Sequence, residues 1–185
     1  MKKKVTFTLI VLLVLGLIGY LFLRDKDSNV SVGEPVVDEG GVPRQDPSNA
    51  TFTIDGEAIK LTDGKNETSV APGSSFVEET SILENRAYGD INADGKEDTV
   101  LFLVRYGAGS GTFVYLAAFV SGPVTYRGSN AIFLGDRISP ESIAISGEII
   151  TAEYLDRKPD EPMASEPTIP VTKQFIYRNG ELRER

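Results

Sequence analysis

The sequence predicts a mostly β protein: a single antiparallel β-sheet domain, built as a meander of hairpins, behind an N-terminal transmembrane helix. Three observations predict it. From Thr51 onward, short runs of β-branched and aromatic residues alternate with Gly-containing turn signals. Beyond the first 24 residues no stretch repeats apolar side chains at helical spacing over ~10 residues. The run "VTFTLIVLLVLGLIGYLFL", Val5 to Leu23, carries no charge, and at ~1.5 Å per helical residue it matches a bilayer core of ~30 Å.

Residues 1–24 read as an uncleaved signal-anchor. A cleaved signal shares the basic start "MKKK", but its apolar core is ~7 to 15 residues long and ends in small side chains, whereas this run is longer and ends "GYLFLRDKD". Lys2, Lys3 and Lys4 mark the cytoplasmic side, so the rest of the chain is expected outside the membrane. Residues 25–50, rich in Asp, Gly, Pro and Ser and without periodicity, read as a flexible acidic linker with a reach on the order of 30 Å. Residues 51–185 form the extracytoplasmic β domain. Asp55-Gly56, Ser146-Gly147 and Asn179-Gly180 each stand between apolar runs as two-residue hairpin turns, whose backbones need positive φ. "TVLFLVRY" (99–106) and "TFVYLAAFV" (112–120), joined through "GAGSG", are apolar on both faces and are expected to be central strands covered on both sides.

Composition narrows the function. Beyond residue 24 the chain holds 15 basic and 27 acidic residues, a charge of −12 that repels nucleic acid and anionic lipid. With no Cys and no His, disulfides and the Ser-His, Cys-His and zinc-hydrolase arrangements are excluded. A small outside domain without disulfides points to a bacterial envelope. Asn49 and Asn66 head the tripeptides "NAT" and "NET", which read as chance in that setting.

The most informative stretch is "GDINADGKEDTVLFL", Gly89 to Leu103. It is no phosphate loop: five residues separate Gly89 from Gly95, and Glu97 follows Lys96 where a hydroxyl is required. "GAGSG" likewise lacks the third glycine of a dinucleotide fingerprint and sits between two strands. The spacing D-x-N-x-D-G-x-x-D instead sets Asp90, Asn92, Asp94 and Asp98 at positions 1, 3, 5 and 9 of a calcium loop, with Gly95 at the sharp turn and the Lys96 carbonyl at position 7. Position 12, where a full EF-hand carries a bidentate Glu, is Leu101, and no helix flanks the loop, so the expected site is a β-loop-β variant. Water or a distant carboxylate such as Asp136 would complete the shell. A metal-free acidic turn is the competing reading.

The loop resembles the calcium loops of FG-GAP and related β-propeller repeats, over about 15 residues and in one copy. More broadly, "GDINADGKEDTVLFL", "GSGTFVYLAAFV", "NAIFLGDRI" and "LDRKPDEPM" in this order resemble a group of small, uncharacterised bacterial membrane-anchored or exported proteins. That resemblance implies an envelope location and lends no activity.

One further stretch, "DRKPDEPMASEPTIP" from Asp156 to Pro170, is long and Pro-rich for a connection inside a compact domain. Arg157, Lys158 and Met163 are its candidate partner-binding side chains. The function expected from these features is binding of an envelope protein or glycan by a calcium-holding domain, without catalysis. The alternative is a small glycosidase-like hydrolase using carboxylates drawn from Glu153, Asp156, Asp160 and Glu161.

Overall fold

A computed structural model describes residues 44–107 and 109–185. The anchor assigned to 1–24 and the linker up to residue 43 lie outside the described residues. The folded unit begins at Arg44. Seven residues that the sequence assigns to the linker therefore belong to it: Asp46 caps a single 3₁₀ turn at Pro47–Asn49, and Ala50 is buried.

The described strands, in chain order, are β1 (Thr51–Ile54), β2 (Glu57–Lys60), β3 (Lys65–Ser69), β4 (Val77–Gly89), β5 (Asp98–Tyr106), β6 (Thr112–Val120), β7 (Arg127–Gly128), β8 (Ile132–Asp136), β9 (Ser139–Ser146), β10 (Ile149–Asp156), β11 (Ile169–Arg178) and β12 (Glu181–Glu184). No α-helix occurs among the described residues. The strand pairs are antiparallel, as the sequence predicts, but they form three sheets and not one. β1 and β2 stand as a hairpin; β12-β11-β10-β9 form the second sheet; β3-β4-β5-β6-β7, with β8 also paired to β6, form the third.

The two central strands supply the physical reason for the division. β5 and β6 pair from Thr99↔Phe119 to Tyr106↔Thr112 and are apolar at every consecutive core position, so both faces must leave water and one sheet cannot cover itself twice. Val100, Phe102, Val104, Val114, Leu116 and Ala118 point to one face and pack with Ile150, Ala152, Phe175 and Leu182 of the four-stranded sheet. Leu101, Leu103, Tyr115, Ala117 and Phe119 point to the other, where Phe52, Ile54 and Ile59 of the β1–β2 hairpin, with Leu61, close over them. Each fully buried Leu, Ile or Phe in these layers contributes roughly 1.5 to 3 kcal/mol of transfer free energy.

The hairpin chemistry follows the sequence, with one shift. Asp55-Gly56 and Asn179-Gly180 have positive φ at both residues, as type I′ turns demand, and Asp63-Gly64 forms a third such pair. Between β9 and β10 the turn is Gly147-Glu148, one residue beyond the expected Ser146-Gly147, with Gly147 at φ 58°.

Antiparallel pairing gives the domain two poles. The start of β5, the end of β6 and the acidic loop lie at one. The end of β5, the start of β6, the start of β4, the β1–β2 turn and the end of β8 lie at the other. A nine-residue strand separates them, on the order of 30 Å.

Candidate functional site

The acidic loop between β4 and β5 closes on its own side chains. Asp90 Oδ1 accepts the backbone N–H groups of Asn92 and Asp94, both at 3.2 Å, and its Oδ2 accepts that of Gly95 at 2.8 Å. The Asp94 N–H is shared with Asn92 Oδ1 at 3.0 Å, so two side-chain oxygens converge on one amide. Asp94 Oδ1 in turn accepts the Lys96 N–H at 3.0 Å. Alternating Asp and Asn residues close such a ring because their short side chains reach an amide two residues on, and Ala93 and Gly95 take the positive φ it requires.

The sequence-nominated residues separate into two environments. Asp90, Asn92 and Asp94 ring the loop, and Lys96 turns its ammonium toward the Gly122 carbonyl at 3.1 Å. Asp98, the first residue of β5, faces inward with no solvent exposure: Oδ2 accepts the Ile91 N–H at 3.0 Å and Oδ1 the Ser121 N–H at 2.7 Å. Among the described residues, no three acidic side chains are grouped as metal ligands.

Ser121 ties the loop to the sheet, and motif reading misses it. Its hydroxyl donates to Asp94 Oδ2 at 2.6 Å, and its carbonyl accepts from Asn92 Nδ2 at 3.0 Å. The signal for it is hairpin arithmetic: with Thr99 opposite Phe119, the residue just beyond β6 must meet the start of β5. Electrostatics differ along the loop accordingly. The Ser121 hydroxyl holds the Asp94 carboxyl below the usual carboxylate range, whereas burial pushes that of Asp98 up against the pull of its two amides.

Asp136, the distant carboxylate suggested to complete the shell, is excluded by topology. It ends β8 opposite Phe113, at the far pole, where it accepts the Thr112 N–H at 2.8 Å. The Pro-rich stretch is a hairpin connection between β10 and β11 (Asp156↔Ile169), closed by internal hydrogen bonds such as Thr168 N–H to the Asp156 carbonyl at 2.8 Å. Of its nominated residues, Arg157 turns inward to the carbonyls of Ser165 and Asp136, while Lys158 and Met163 stay exposed. A hollow of about 710 Å³ opens between this connection, Ser110 and Arg137.

A second concavity, about 450 Å³, lies at the same far pole, lined by Asp55, Glu78, Arg105, Phe113, Tyr115 and Phe133. Arg105 Nη2 meets Glu78 at 2.7 Å and Glu57 at 3.3 Å, and Nη1 lies 3.9 Å from Asp55. The Tyr115 hydroxyl donates to Asp55 Oδ2 at 2.8 Å, and burial, then that carboxylate, raises its pKa. Phe133 is half exposed over Phe113 and Tyr115, with ring centroids 6.2 and 5.5 Å away.

The carboxylates suggested for hydrolysis, Glu153, Asp156, Asp160 and Glu161, line neither of these two concavities. Glu153 accepts from the Ser142 hydroxyl on an exposed face, Asp156 Oδ1 accepts the Arg157 N–H, and Glu161 binds the Lys158 N–H. No family model, curated protein or solved structure matches the chain.

Proposed function

We propose that the chain is a membrane-anchored, extracytoplasmic β domain of the bacterial envelope that holds one calcium ion in its 90–98 loop and acts as a binding module. The convergence of Asp90 Oδ1 and Asn92 Oδ1 on a single amide carries the metal half of this reading, because it collects oxygens at positions 1 and 3 on one side of the ring. Asp94 and the Lys96 carbonyl add hard oxygen donors of the kind calcium prefers. Asp98, at position 9, is the remaining side-chain oxygen donor of the proposed site and fixes the Ile91 and Ser121 amides beneath the loop. Bound calcium would neutralise the carboxylates that the metal-free loop satisfies with its own amides. Without the bidentate position-12 ligand, affinity belongs in the range of extracellular modules, around 10⁻⁴ to 10⁻³ M.

The binding half rests on the separation of the poles: the concavities stand opposite the loop, and the first described residue, Arg44, joins the loop pole through a 2.6 Å ion pair to Glu97. The hydrolase alternative rests on Glu153, Asp156, Asp160 and Glu161, which line neither concavity, and the two acids that line the smaller one, Asp55 and Glu78, are both engaged by Arg105. Calcium titration of the full-length protein in detergent, followed by calorimetry, tests the metal half. Saturable heat lost in Asp94→Ala is the expected result, and flat titrations of the unmutated protein overturn it. Protease added to intact spheroplasts tests the topology: the β domain should be degraded and a membrane-embedded N-terminal fragment retained. A protected domain would place it inside.

A further inference from the structure

We propose that the far-pole cleft between Asp55, Glu78, Arg105 and Phe133 binds an organic cation, an ammonium or guanidinium group carried on an apolar body. The inference names the ligand class of the proposed binding module and rests on that reading, though not on calcium. The volume, about 450 Å³, is that of a ligand pocket and not of a packing defect, since such pockets run from ~300 to ~1,000 Å³. Its walls differ in kind. One wall is aromatic: the Phe133 ring centroid stands 6.2 Å from that of Phe113 and 5.5 Å from that of Tyr115, and Phe133 remains 49% exposed despite its size. An exposed ring beside an open cavity offers an incoming group its negative π face, and cations are attracted within ~6 Å of such a centroid.

The other wall carries charge. Three carboxylates, Asp55, Glu57 and Glu78, surround one guanidinium, so Arg105 is fully compensated and negative charge is left over. An anionic ligand would meet that excess in a domain that is itself acidic. A neutral sugar would compete for oxygens and donors that Arg105 and Tyr115 already use. A cation instead gains from the excess carboxylate charge and from the rings together. Phe76, two residues before Glu78, is 66% exposed and gives a peptide bearing the cation additional apolar surface to cover. A basic peptide should thus bind more tightly than a free amine of the same charge type.

The test is a titration of isotope-labelled full-length protein in detergent micelles with tetramethylammonium, with trilysine and with N-acetylglucosamine, read by NMR at the cleft residues and at the loop. Both cations should shift cleft signals saturably, trilysine at lower concentration and with weakening as salt rises. Phe133→Ala should weaken them about fivefold, the loss of one cation–π contact. Glu78→Gln should weaken trilysine without disturbing the aromatic signals. Absence of cleft shifts with either cation, or shifts with the sugar alone, overturns the proposal. Loop signals under added calcium report the metal reading separately, so either half can fail while the other stands. Tetramethylammonium binding as tightly as trilysine would overturn the preference for a cation carried on a peptide.

Discussion

Replacing Asp98 by Asn isolates the anchor beneath the loop. The two side chains have the same shape, but Asn presents one acceptor and one NH₂ where two backbone donors, Ile91 N–H and Ser121 N–H, both point at oxygen. One donor therefore loses its acceptor in a site without solvent exposure, at a cost of about 1 to 3 kcal/mol, and the surviving bond loses its charge assistance. We expect a total near 3 kcal/mol, which for a domain of this size lowers Tm by roughly 10 °C. Circular dichroism melts of the two proteins measure it. The two-amide bonding belongs to the carboxylate, so the comparison is read at neutral pH; burial raises the folded pKa of Asp98, so the part of wild-type stability linked to its protonation is present below the unfolded value of ~3.9 and is lost as pH rises through the folded value. A change in Tm under 2 °C at neutral pH (about 0.6 kcal/mol on the same scale) would refute the assignment of Asp98 as the acceptor of both amides.

Three further outcomes follow from packing and charge. Ser121→Ala removes the hydroxyl that holds Asp94 ionised; because a depressed carboxyl stabilises above its unfolded pKa and not below its folded one, denaturant titrations should show a loss at neutral pH that disappears in strong acid. Gly128→Ala drives a Cβ into the Thr51 carbonyl oxygen and to 2.8 Å from the Phe52 ring, where β7 lies against β1, and should cost about 1 to 3 kcal/mol by overpacking in the same assay. Phe102→Ala empties a fully buried site between β5 and the four-stranded sheet and should cost about 3 to 5 kcal/mol, read as a lower denaturation midpoint at unchanged slope.

Much of the fold is legible because its signals are local. Asp55-Gly56 and Asn179-Gly180 declare their turns through residues that tolerate positive φ, and 99–106 with 112–120 declare a doubly covered pair through unbroken apolarity. What covers each face is not local. Phe52 and Phe175 lie on opposite sides of the same two strands, yet each sits in an ordinary half-buried strand pattern, so the division into three sheets leaves no mark on periodicity. Spacing also says nothing of the burial of Asp98: a position-9 residue and a buried amide acceptor have the same sequence offset, and the start of β5 turns this side chain inward. The cleft is less legible still. Arg105 meets Glu78 and Glu57 across 27 and 48 residues, which no motif spans.

The central claim, that the 90–98 loop holds calcium, is tested most directly by melting the full-length protein in detergent with calcium or with chelator. A metal that binds only the folded state adds RT ln(1 + [L]/Kd), on the order of 1 kcal/mol at millimolar calcium for the expected affinity. Calcium should therefore raise Tm by a few degrees in the unmutated protein and leave Asp94→Ala unchanged. Identical melts of the unmutated protein with calcium and with chelator would contradict the account and leave the loop as a turn closed by its own hydrogen bonds.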